Sequence, residues 1–239
     1  MANTELFNSA MLAGQELHGQ GDFTEARDHW QIAENHAPDA VSAGRAIRGD
    51  AASAAKLGYL GVAVERAQTA LVLHGDAAAE NPVYRREEAQ TRGVLARLMF
   101  KSIGTEEYHE LMPTAEARKG AVLPLVSMRR AVEVLGGISR EAERTDQHLL
   151  NLLPHMATGE ALYGDQDRAR HLLGYLPMAV KLTESPDLPT SAHISERHRR
   201  TSQLRMAAYA GGAALVTTLA AAPKGRHMAL GVARGRAGW

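Results

Sequence analysis

Apolar residues recur three and four positions apart through most of this chain, the spacing of one face of an α-helix. The clearest run is Phe23, Ala26, Trp30 and Ala33, closed by Pro38. The spacing predicts a first helix from about Thr4 to His18, then a turn at Gly21. A second helix starts at Asp22, which suits an N-cap, with Glu25 three residues on as its capping-box partner. Pro38 stops that helix, because the residue before a proline is biased out of the helical region.

The same reading predicts a helix over Val41–Leu57. Another follows Gly58-Tyr59-Leu60 and runs through Ala63, Ala67 and Ala70 to Gly75. Three more are expected at Pro82–Ile103, Thr105–Arg118 and Val122–Leu135. Pro154–Tyr163 leads into a Gly164-Asp165 turn followed by Ala169, Leu172, Leu173 and Leu176. Pro186 and Pro189 break any helix between Ser185 and Thr190. A last helix is expected from Ser191 or Ser195 toward Ala222, ended at Pro223-Lys224-Gly225. Short β-branched runs such as Val62-Ala63-Val64 and Val216-Thr217-Thr218 fall inside helical periodicity. The fold class expected is all-α, with about four helical hairpins.

The small–large pattern of the first hairpin goes further than periodicity. Gly14, Leu17, Ala26, Trp30, Ala33 and Pro38 resemble one unit of the tetratricopeptide repeat, a 34-residue helix–turn–helix. The resemblance implies that Gly14 sits where the two helices approach most closely and that Leu17 packs between them. It implies a second close approach at Ala26, a large aromatic at Trp30, a further small residue at Ala33 and the unit's end at Pro38. A second unit can be laid on Ala51, Ala54, Gly58, Ala63, Ala67 and Ala70, with a longer first helix and Ala67 where the aromatic belongs. Gly164, Asp165 and Ala169 give a third, partial match. The architecture implied is a stack of antiparallel hairpins in a right-handed superhelix over residues 1–185. An Ala/Gly-rich helix and basic tail over 191–239 would pack on the same domain as a cap.

Composition narrows the function classes. Hydrophobic residues make up 45% of the 239 residues and charged residues 23%, as in an ordinary globular protein. There is no cysteine, which excludes disulfides, iron–sulfur clusters, thiolate zinc sites and a cysteine nucleophile. Met1-Ala2-Asn3-Thr4-Glu5 has no basic stretch and no apolar core of a signal peptide. The expectation is a bacterial-type cytoplasmic protein.

Net charge is zero, but unevenly spread. The last acid is Glu196, and Arg197–Trp239 holds eight Lys/Arg. The first 196 residues carry the other 19 Lys/Arg against all 27 Asp/Glu, a net of −8. Arg197, Arg199, Arg200 and Arg205 form the densest basic cluster. No aromatic residue interleaves it and no DNA-binding motif surrounds it, so a solvated helix start or a contact with the acidic body is favoured over nucleic acid. The uncharged run Met206–Pro223 is long enough to cross a membrane but is mostly Ala, Gly and Thr, which insert poorly. A capping helix, or an interface between copies over 206–222, is preferred.

Candidate chemistry is thin. His29/His36 and His148/His155 are seven apart, about 10.5 Å along a helix and too far for one ion. Glu106 and His109 form a lone Glu-x-x-His, where a carboxylate-bridged di-iron site needs two. No nucleophile elbow, metalloprotease helix or phosphate-binding loop occurs. No catalytic residue, metal or cofactor is therefore assigned, and a non-catalytic role is favoured. In the tetratricopeptide family the first helices of the units line a concave groove. The resemblance places Asn8, Met11, Gln15 and His18 there in the first unit, with Arg45, Arg48 and Ala52 in the second. Met11 and Gln15 stand where the carboxylate-clamping subset has Lys and Asn, which argues against that role. Arg45 and Arg48 share a face and suit an acidic ligand, or pair with Asp39 or Asp50. The expected function is a scaffold that holds a protein or peptide partner in this groove. The alternatives are a small-molecule site or enzyme between the central helices, and a homo-oligomer joined through the final helix.

Overall fold

The computed structural model describes residues 2–106, 115–142, 146–165, 167–169 and 171–172. Among them the chain is helical and forms no strand. The elements are α1 (Ala2–Gln20), α2 (Phe23–Asn35), α3 (Ala40–Lys56), α4 (Leu60–Glu80), a single 3-10 turn (Pro82–Tyr84), α5 (Arg85–Glu106), α6 (Ala115–Glu141) and α7 (Gln147–Tyr163). The chain divides into two compact units, Met1–Ser102 and Ile103–Trp239. The expected break at 185–190, the final helix, the 206–222 interface and the basic cluster at Arg197, Arg199, Arg200 and Arg205 lie outside the described residues.

The first unit contains two hairpins joined by the same turn. Gly21 and Gly58, 37 positions apart, both have positive φ, +99° and +87°. Only glycine adopts that backbone without strain. Each glycine lets the next residue's N–H reach back to the fifth carbonyl before it, Asp22 to Leu17 at 2.9 Å and Tyr59 to Ala54 at 3.0 Å, as in a Schellman closure. The helix after each turn then opens with a matching bond, Ala26 N–H to Asp22 O and Ala63 N–H to Tyr59 O, both 2.9 Å.

The expected carboxylate cap at Asp22 is not formed. Asp22 lies at φ −83°, ψ 61°, and its side chain caps nothing; Glu25 therefore has no box to complete. Tyr59 holds nearly the same angles, −80° and 61°. The turn is a backbone construction in which the N-cap side chain is incidental, so aspartate and tyrosine serve alike. Asp39 is the contrast. It is extended at φ −154°, ψ 171°, and its carboxylate accepts the Ser42 N–H at 2.7 Å. That is the geometry in which a capping oxygen reaches the first turn.

α3 is the middle of this unit. Phe7, Ala10 and Ala33 from the first hairpin pack with its Ala46. Its Ala51, Ala54 and Ala55 pack with Ala63 and Ala67 of α4 and with Leu95 and Leu98 of α5. α4 does not stop at Gly75 as expected but continues to Glu80, since one glycine costs a helix only about 1 kcal/mol.

In the second unit, α6 runs unbroken through Pro124. The expected helices Thr105–Arg118 and Val122–Leu135, with a break between them, are thus corrected: one helix spans Ala115–Glu141, and 107–114 lie outside the described residues. A proline inside a helix removes one hydrogen bond. Here its ring is fully buried beside the buried Ala121, Leu125 and Met128, and that burial offsets the loss. α7 packs on α6 and is capped by Asp146, whose carboxylate accepts the His148 N–H at 2.8 Å. Ser139 links helix and loop: its hydroxyl donates to Leu135 O and accepts from Asp146 N–H.

Candidate functional site

The polar side chains of the first unit fall into an inward set and an outward set. The inward set begins at Trp30. A Cβ placed on Gly14 of α1 would stand 2.9 Å from its ring, and one on Gly49 of α3 would stand 2.7 Å away. Both distances are shorter than carbon atoms tolerate, so the indole is held in a slot between two glycines. Its Nε1–H donates to Ser53 Oγ at 3.1 Å, and Ser53 is fully buried. The same hydroxyl lies 2.8 Å from His18 Nδ1. Ser53 Oγ thus sits between the Trp30 indole and the His18 ring. Burial, with Lys56 nearby, lowers the pKa of His18.

Asp50 of α3 is the second inward centre. It is 1% exposed and receives Arg27 Nε from α2 at 2.6 Å and Arg66 Nε from α4 at 2.8 Å. Arg66 also pairs with Glu34 of α2. One carboxylate thus ties three helices together, with the bidentate reach that a guanidinium provides.

Glu87 of α5 is the third. Arg45 Nε donates to its Oε1 at 2.9 Å, and Arg48 Nη1 stands 2.9 Å from its Oε2. Arg48 Nη1 also donates to Thr91 Oγ1 at 3.1 Å. Burial alone would raise the Glu87 carboxyl; Arg48 and Arg45 outweigh it and hold the group below the ordinary carboxylate value. Thr91 is in turn 2.8 Å from Nδ1 of the fully buried His74. His74 Nε2 is 3.1 Å from Val41 O.

These contacts place the groove candidates. Asn8 and Gln15 are exposed on α1, and Met11 is half-buried beside the Phe7–Ala10 cluster. His18 is turned toward Ser53 and serves the core. Arg45 keeps 43% of its side chain exposed while bonded to Glu87, and Arg48 is 17% exposed. Their acid is therefore Glu87, neither Asp39, which caps α3, nor Asp50, which holds Arg27 and Arg66. Ser53, His74, Glu87 and Thr91 carried no signal of their own, because each partner lies between 17 and 43 residues away.

Among the described residues the second unit has one comparable centre. Glu160 of α7 is fully buried and receives Arg129 of α6 through two bonds of 2.7 and 2.8 Å. It also accepts the Asp165 N–H at 3.0 Å, and Arg168 stands 3.6 Å away. Burial would raise this carboxyl, and these donors hold it low. The Gly164-Asp165 turn is real: Asp165 accepts the N–H groups of Asp167 and Arg168.

Among the described residues no group of three His, Asp or Glu side chains is placed to hold a metal ion. Among them, too, no helix is long and apolar enough to cross a membrane. His109 of the Glu106–His109 pair and the Met206–Pro223 run lie outside the described residues. Comparison with protein-family models, with curated proteins and with solved structures yields no match.

Proposed function

We propose that this chain is a non-catalytic scaffold that binds a protein or peptide across the first helices of a short tetratricopeptide-like stack. The right-handed superhelical arrangement and the capping role of the final helix are part of this proposal. One observation carries it: the turns at Gly21 and Gly58 are built from the same bonds 37 positions apart, with Gly14/Trp30 and Ala51/Ala67 at matching places in the two hairpins. A unit repeated in this way sets α1 and α3 in equivalent roles. Asn8 and Gln15 on α1 and Arg45 on α3 then remain exposed for a ligand, while Trp30, Asp50, Ser53 and His74 are consumed by the core. The absence of cysteine suits a reducing cytoplasmic setting.

The test is site-specific photo-crosslinking of the full chain in extract of its source cells. A photoreactive residue is placed at Asn8, Gln15 or Arg45, and at Glu65 and Gln68 on the exposed side of α4 as controls. The proposal expects a shared adduct from the first three sites and none from the controls. Adducts of equal yield from all five sites, or none from the first three, would overturn it.

A further inference from the structure

His74 sits at the junction of α3, α4 and α5 with no exposed surface. Its two ring nitrogens have fixed and opposite roles. Val41 O can only accept, so Nε2 carries the hydrogen. A neutral ring then has Nδ1 as an acceptor, and the Thr91 hydroxyl donates to it. Thr91 Oγ1 itself accepts from Arg48. The result is a one-way chain of donors from Arg48 through Thr91 and His74 to Val41 O.

We propose that His74 is a proton-operated latch that fastens α5 to α3 and α4 when neutral and releases it when protonated. A proton on Nδ1 points a second N–H at the Thr91 oxygen, whose own hydrogen then has lost its acceptor. The new charge faces Arg45 and Arg48 from α3 and Glu87 from α5, where Arg86 adds a further positive charge beside Arg48; His74 is the titrating group on α4 at this junction. The ring cannot swing away, because a Cβ on Gly44 would stand 2.5 Å from Nε2, which marks how closely α3 covers it. Separation of α5 relieves both conflicts. It also carries Glu87 off Arg45 and Arg48, so opening frees both guanidinium groups from their shared carboxylate. Burial lowers the pKa of this histidine, in the direction the geometry requires.

The inference stands apart from the scaffold proposal and is tested without a ligand. Amide hydrogen exchange is measured by mass spectrometry on the full chain at pH 7.5 and pH 5.0, corrected for the intrinsic pH dependence of exchange. Below the ordinary histidine value each pH unit costs the closed state up to about tenfold in population. Exchange over 88–98 of α5 should therefore rise more than tenfold at pH 5.0 in His18→Gln, where the titrating partner of Ser53 is gone, with that over 24–33 of α2 in the same variant changing less than threefold. The variant His74→Gln keeps a donor and an acceptor but does not titrate, and its α5 exchange should be flat with pH. Should that variant not fold, long-range nitrogen NMR of the unsubstituted chain supplies the second readout: Nδ1 must be unprotonated at pH 7.5. Unchanged α5 exchange at pH 5.0, an equal rise in both segments of His18→Gln, or a proton on Nδ1 at pH 7.5 overturns the latch.

Discussion

The two hairpins of the first unit share a turn and differ in their filling. In the first, Trp30 on α2 supplies the bulk, and glycines at 14 and 49 make room for it. In the second, Ala67 stands at the matching place, and the bulk arrives from the next helix as Leu95 and Leu98. Large side chains fill both hairpins while their source changes, in keeping with close packing. A large residue on the second helix needs smaller partners on both neighbours. A small one there needs a larger partner on the helix that follows. The repeat survives because the glycine turn, and not the aromatic, fixes how the helices meet.

The sharpest way to break the comparison is Trp30→Ala. Nothing from α3 can fill the slot, since its wall there is Gly49. The loss should be about 3–5 kcal/mol, read by urea unfolding. Next comes Asp50→Asn, which leaves Arg27 and Arg66 without their shared carboxylate. Removing one partner of a buried pair costs about 3–5 kcal/mol; both arginines are more than a fifth exposed, so about 2–3 kcal/mol is expected here. Gly49→Ala should cost about 1–3 kcal/mol through overpacking against the indole. Combined with Trp30→Leu, most of that cost should vanish, and a double-mutant cycle with no coupling would refute the slot.

How much of this was legible follows from the range of each interaction. Helix type and the Gly21 turn were readable, because they rest on residues within one hairpin. The second turn at Gly58 was readable for the same reason. Gly14 was expected at a close approach, but that its neighbour there is Trp30 came only with the packing. The Asp22 cap was misread, since sequence shows the residue type but not the ψ of 61° that points its carboxylate elsewhere. The break before Val122 was misread because a buried proline can be carried by the packing around it. Arg45 and Arg48 were correctly picked as a pair on one face, yet Glu87, 42 residues from Arg45, was not foreseen as their acid.

The last comparison is with pH, and it separates two parts of the same unit. His18 and His74 both titrate below the ordinary value of 6.5 in the folded chain. The unfolded chain then takes up protons first. Their stabilisation is whole above pH 6.5 and is lost as pH falls below it, by at most about 1.4 kcal/mol per unit for each group. Glu87 is also lowered, so its contribution is present above its ordinary value of 4.5 and lost as pH falls through the lower folded value. Thermal unfolding from pH 8 to pH 4 should show a decline beginning near 6.5, before any carboxylate effect. His18→Gln should remove part of the decline, and it should leave the α5 exchange response intact.

The sequence alone settled what depends on neighbours in the chain: helical periodicity, the glycine that reverses it, and the complementarity of small and large residues inside a hairpin. Tertiary structure decided what depends on distant partners. It set Asp50 among three helices, gave Glu87 to the two candidate groove arginines, and enclosed His74 between a carbonyl of α3 and a hydroxyl of α5. Buried polar groups must find partners, but a partner 16 to 43 residues away leaves no periodic trace. Only the packing of one helix on another selects which it will be.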